Sequence, residues 1–193
     1  MGMNLNEQLA EASRLGETEK VAALLNQGAD VHYDKDAALR VACIEGHTET
    51  AKLLLDQGAD IHADYDAALR WAARTGHTET AKHLVSRGAD IHAYEESALF
   101  FAALYGHSET VKLLLDSGAD IGAENDDALQ AATGNDRTET IKVLLKHYTI
   151  TKLKNLIGRD GLKKIEPSIN EEVKERRIDA VMKHQRREPN MEI

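Results

Sequence analysis

The chain has 193 residues, 42% apolar but only 4% aromatic, with a formal charge of −9. That length and composition allow one aliphatic, alanine-rich core, or one domain with an appendage. Residues 1–150 carry 25 Asp/Glu against 13 Lys/Arg, a net of −12, and residues 151–193 carry 8 against 11, a net of +3. An acidic body argues against generic binding to nucleic acid or anionic membrane and favours a basic partner, or simply solubility.

From the start, "MGMNLNEQLA" lacks the basic opening and apolar middle of a signal peptide, and no apolar run is long enough to span a membrane. Asn6 stands where a myristoylation signal needs Ser or Thr. Cys43 is the single cysteine and has no partner for an internal disulfide. Together these point to a reducing, cytoplasmic setting.

Residues 9–30, "LAEASRLGETEKVAALLNQGAD", open a pattern that then recurs in blocks of thirty. Asn4, Asn6, Glu7, Gln8 and Glu11 make the opening helix polar, as befits an end unit. The next blocks begin at 31, 61, 91 and 121, and "GHTETAKLLLDQGADIHA" (46–63) differs from "GHTETAKHLVSRGADIHA" (76–93) at four positions. A period of this size marks a stack of small units that bury their faces on one another.

In the 31–60 unit, Asp36 is the expected N-cap of a first helix, with Asp66 and Asp126 in the same column. Leu39, Ala42, Cys43 and Gly46 follow on one helical face, and Gly46 ends the helix. Cys43 shares its column with Ala73, Ala103 and Thr133 and is expected to be a small buried residue. Thr48 is the expected cap of a second helix, with Glu49 favoured in its first turn by the helix dipole. Ala51, Leu54 and Leu55 form its buried stripe, and Gly58 closes it in the left-handed conformation. The fold class is therefore all-α, a solenoid of helix–turn–helix units.

These units resemble the ankyrin repeat. "GHTETAKLLLDQGADIHA" follows that family's second-helix and loop signature, and "AALRVA" (37–42) stands where it has Thr-Pro-Leu-His-x-Ala. The resemblance covers about residues 5–147. It implies an array over residues 4–150, in units of about 4–30, 31–60, 61–90, 91–120 and 121–150, followed by a helical capping segment and tail over 151–193. Ala38, Ala68, Ala98 and Ala128 replace the usual Pro, and each unit has 30 residues rather than the family's 33. The shortfall lies in the loop, so the family's projecting hairpin finger is expected to shrink to a tight turn. Such shortened units are similar to arrays carried by giant viruses, phages and intracellular bacteria.

The fourth full unit departs from the pattern: Asp136-Arg137 replace Gly-His and "HYTI" (147–150) replaces "GAD". Its outer face is expected to meet the C-terminal segment through Leu153, Leu156, Ile157, Leu162 and Ile165, with "GRDG" as a turn. Ser168 and Glu171 have capping-box spacing for a helix over 169–186, whose apolar side is Val173, Ile178, Val181 and Met182.

The histidines recur as two columns, His32/His62/His92 and His47/His77/His107. Packed helices sit about 8–10 Å apart, whereas a zinc–nitrogen bond is about 2.0–2.1 Å, so residues one unit apart cannot share an ion. The first column reads as polar loop capping. The second, by resemblance, is the family's hydrogen-bonding Gly-His turn. No metal and no cofactor are expected. The carboxylate pairs in "DKD", "DYD", "EE" and "ENDD" recur with the repeat, unlike the single odd pair a hydrolase needs. No phosphate loop, zincin spacing or nucleophile elbow is present. The chain does not read as an enzyme.

What breaks the repetition points to function. Tyr65, Trp71, Tyr94, Phe100, Phe101 and Tyr105 are six of the eight aromatic residues. Trp71 and Phe101 lie about 200° round the helix from the buried Leu, and the resemblance puts their column on the concave face. Arg70, Arg74 and Leu104 stand beside them, and aromatic and Arg residues are the usual interface anchors. The expected function is a monomeric, non-enzymatic scaffold whose second and third full repeats (61–120) bind a protein with a basic surface. The bland alternative is that Trp71 and Phe101 fill gaps between repeats. A second functional reading is an acidic decoy that blocks a nucleic-acid-binding host protein, although one carboxylate row every ~10 Å is sparse beside DNA's charge every ~1.7 Å.

Overall fold

The computed structural model of the protein describes residues 2–122 and 127–146. Asp126, "HYTI" and the expected cap and helix of 151–193 lie outside the described residues. Within them are ten helices and no strand. Helices α1 (Leu5–Arg14) and α2 (Thr18–Asn26) form the first unit, and α3 (Tyr33–Glu45) and α4 (Thr48–Asp56) the second. Then come α5 (Ala63–Thr75), α6 (Thr78–Ser86), α7 (Ala93–Tyr105) and α8 (Ser108–Asp116). The last pair is α9 (Asp127–Gly134) and α10 (Thr138–Leu145). At the N-terminus, Asn4 and Glu7 close a reciprocal capping box on α1.

The core is two columns of leucine. Leu9, Leu39, Leu69, Leu99 and Leu129 come from the first helices, and Leu24, Leu54, Leu84, Leu114 and Leu144 from the second; all are buried. Ala12, Ala42, Ala72, Ala102 and Ala132 are fully buried, and small side chains at a helix contact allow close approach. The first helices consequently pack against one another more closely than the second helices do. A stack whose units sit closer on one side curves toward that side, which makes the first-helix row the inner one. Cys43 lies in this core, and burial pushes its thiol up to about 12, so the reactive thiolate is suppressed.

The second-helix row is tied by hydroxyls. Thr48 does not cap α4 as expected; residue 47 precedes the helix and no side chain caps it. Instead Thr48 Oγ1 pairs with Thr80 Oγ1 of the next unit at 2.7 Å, and the same pairing joins Thr18 to Thr50 and Thr78 to Thr110. A local capping rule cannot register a bond across 32 residues. The Gly-His turn behaves as the resemblance implied: His47 and His107 donate through Nε2 to the carbonyls of Arg14 and Arg74, each at 3.0 Å. Gly76 is left-handed (φ +77°), and a Cβ there would fall 2.4 Å from the His107 ring. In the fourth full unit Arg137 takes the histidine's part, donating to the Leu104 carbonyl at 3.1 Å, and Asp136 adopts the glycine's left-handed backbone.

The loop is a tight turn, as expected, but of an unusual kind. Asp34, Lys35 and Asp36 fall inside the bounds of α3 but are all left-handed, set off by a kink from its right-handed part. The same holds for Asp64, Tyr65 and Asp66 in α5 and for Tyr94, Glu95 and Glu96 in α7. Each such residue costs about 1–2 kcal/mol, so the turn needs fastening. Asp36 and Asp66 provide part of it, and this overturns their expected role as N-caps. Their carboxylates are buried and accept the backbone N–H groups of Asp60 and Asp90, at the end of the same units, at 2.8 and 2.7 Å. His32 and His62 also face them through Nδ1 at 3.2 and 3.1 Å. Arg40 and Arg70 close the turn from the helix side. Arg40 donates to the carbonyls of Asp34 and Lys35, and Arg70 to those of Asp64 and Tyr65.

Candidate functional site

The nine residues singled out in the sequence fall into two groups on α5, α7 and their entry turns. The first is centred on Arg74. Its guanidinium lies 5.1 Å from the ring centres of Trp71, Phe101 and Tyr105, so three rings from two neighbouring units surround one cation. Helical spacing makes this possible: Trp71 and Arg74 are one turn apart on α5, and Phe101 and Tyr105 one turn apart on α7. Trp71, Arg74, Phe101 and Leu104 are half-buried and Tyr105 is exposed, so the cluster is outside the leucine core yet packed across a repeat junction. Phe100 meets Phe101 edge to face at 5.3 Å.

The second group is on the turns. Tyr65 and Tyr94 are 69% and 63% exposed, with ring centres 6.1 Å apart. The Arg70 guanidinium, held by its own turn, lies 5.0 Å from the Tyr94 ring. Tyr94, Phe100 and Phe101 all border a cavity of about 250 Å³ between the third and fourth full units, and so link the two groups.

Two residues of this cavity were missed in the sequence. Glu96 and Ser97 are 6% and 8% exposed, and Glu96 Oε2 and Ser97 Oγ are buried without a hydrogen-bond partner. The signal was there as a change of column: Glu96 follows Asp36 and Asp66, and Ser97 follows Ala37 and Ala67. The other carboxyl oxygen of Glu96 faces His92 Nδ1, and that contact raises the His92 pKa above its ordinary value. Among the described residues, no group of three or more His, Cys, Asp or Glu is arranged to hold a metal ion. Nor is any helix among them long and apolar enough to cross a membrane.

Paired helices stacked in register, with left-handed turns along one edge, define a helical-repeat protein of the interaction-module class. The family model for ankyrin repeats (3 copies) matches residues 9–95 and 69–155. The chain therefore belongs to the ankyrin repeat family, whose members generally mediate protein–protein interaction and are typically not enzymes. Among curated proteins, none matches the chain.

Proposed function

We propose that this protein is a monomeric, cytoplasmic, non-enzymatic scaffold that binds a partner protein on the first-helix row of its second and third full repeats. The observation that carries this reading is the Arg74 cluster. Three aromatic rings held half-exposed around one guanidinium form a rigid, amphipathic patch of the residue types that dominate interface energetics. The surrounding acidity favours a basic partner, raising its association rate more than its affinity.

The decoy reading loses ground on the turns. Asp36 and Asp66 are buried, and Asp30, Asp60 and Asp90 accept backbone N–H groups of their own loops. Carboxylates tied into the turns in this way are less free to present a phosphate-like row.

The test is capture of partners by the full chain, followed by a salt titration. Changing Trp71→Ala and Phe101→Ala together is expected to weaken partner binding by about 100-fold or more, as loss of hot-spot residues does. Binding that persists in the double variant overturns the assignment. So does a stability loss of about 3–5 kcal/mol for either single change, which would mark a core aromatic. A steep loss of the partner with salt and little effect of the aromatic changes would favour the decoy.

A further inference from the structure

The turn at the start of the first helix in the first two full units is built as a socket for arginine. In both, the socket is filled from within. Arg40 Nη1 reaches the carbonyls of Asp34 and Lys35 at 3.3 and 3.4 Å. Arg70 reaches the equivalent carbonyls, of Asp64 and Tyr65, at 2.7 and 3.0 Å. In the third full unit the arginine is replaced by Phe100, which has no donor to offer the carbonyls of Tyr94 and Glu95. Two further substitutions coincide with this one. Glu96 replaces the aspartate that elsewhere accepts a backbone N–H from the end of its own unit, and its Oε2 is left buried and unpaired. Ser97 replaces alanine and adds a buried hydroxyl that is also unpaired. The cavity of about 250 Å³ borders all of these residues, together with Phe101, Asp120 and Asp127.

Buried carboxylate and hydroxyl oxygens without partners are costly, and a cavity beside them invites a donor. The geometry points to this cavity as the binding site for an arginine side chain of the partner protein. A guanidinium supplies up to five N–H donors in one plane. Neither Glu96 Oε2 nor Ser97 Oγ is accessible as it stands, but both side chains border the cavity. Their rotation would let the guanidinium present some donors to them while its faces lie against the rings of Phe100 and Phe101. A lysine ammonium is a compact, strongly hydrated charge that gains less from flat aromatic walls. The chain already makes both choices internally, with Arg70 against the Tyr94 ring and Arg74 among three rings. That the guanidinium comes from a bound protein rests on the function proposed above; the chemistry of the socket does not.

The test needs no partner. The full chain is titrated with Nα-acetyl-arginine amide, and separately with Nα-acetyl-lysine amide, while backbone amide resonances are followed by NMR. The arginine probe is expected to give saturable shifts concentrated at Glu96, Ser97 and Ile121, with weaker binding of the lysine probe. Phe100→Arg restores the arginine of the two preceding units and should fill the socket from within. It is expected to keep the helical circular dichroism and weaken probe binding by about tenfold or more. Ser97→Ala, matching Ala37 and Ala67, removes one acceptor and should weaken it less. Absence of saturable shifts at these residues overturns the socket, as does equal titration of the wild type and both variants. Equal binding of the two probes overturns the assignment to arginine. Failure here condemns the socket alone, whereas undiminished partner capture by the Trp71 and Phe101 variants condemns the interface.

Discussion

The second helices α4, α6 and α8 are close copies of one another, while the first helices α5 and α7, built on the same repeat, differ on their outer sides. The reason lies in what each column touches. Thr80 is 1% exposed and its hydroxyl meets Thr48 of the preceding unit, so changing it strands a hydroxyl in the neighbour. Trp71 and Phe101 occupy a column whose other members are Val41 and Ala131, and the stack tolerates all four. Columns that bond to a neighbouring unit are held by the scaffold. Columns that face outward can be specialised unit by unit, and here that happens in the second and third full units.

The largest effect should be blind to this distinction, because both helix rows feed one core. Leu69→Ala on α5 and Leu84→Ala on α6 each remove a fully buried side chain. Each is expected to cost about 2–5 kcal/mol in denaturant unfolding, a large share of a stability of about 5–15 kcal/mol. If either change costs less than about 1 kcal/mol, its row does not belong to the shared core. Next in size is Gly76→Ala at the joint between the rows. The left-handed backbone penalises any side chain, and the new Cβ would displace the His107 ring from the Arg74 carbonyl. Together these should cost about 2–3 kcal/mol.

The scaffold side of the comparison was legible in the sequence because a thirty-residue period fixes which residues share a column. The leucine columns, the buried Cys43, the left-handed glycines and the shortened loop all followed from it. What escaped was the purpose of polar columns whose partners lie 24 or 32 residues away. Asp36 has the composition of an N-cap, yet its acceptor role is toward Asp60, 24 residues on. Nothing local distinguishes the two. The aromatic patch was legible as a departure from the pattern. Glu96 and Ser97 were not, because each is a small change whose effect appears only when the lost partner is known.

A smaller effect sharpens the contrast within the hydroxyl ladder itself. Thr80→Val should cost about 1 kcal/mol, since it removes one buried hydrogen bond and keeps the shape. Thr140 offers the reverse case: it is buried, its hydroxyl has no partner, and Ser108 stands where the earlier units have Thr. Thr140→Val is therefore expected to be neutral or stabilising by about 1 kcal/mol. Equal destabilisation at the two sites, measured by thermal melting, would mean that the ladder continues to the fourth full unit.

The smallest effect belongs to the specialised side and is read through pH. His92 faces Glu96 through Nδ1, and that bond raises its pKa above the ordinary 6.5. Burial opposes the shift, and the charges of Glu96, Asp90 and Asp120 add to it. A group that binds its proton more tightly when folded stabilises the fold while protonated. The contribution is therefore complete below pH 6.5 and disappears as the pH rises through the higher folded value. His92 is more than half exposed, so solvent screens the interaction and the melting temperature should change only slightly over this window. The ring titration is the sharper measurement. Its midpoint by NMR should lie above 6.5 in the wild type and move down in Glu96→Gln, which keeps the side chain's length but removes its charge. A wild-type midpoint at or below 6.5 would mean that Glu96 does not hold His92 in solution. Both oxygens of that carboxylate would then need another explanation for their burial, and the third turn would differ from its two predecessors more deeply than one added methylene accounts for.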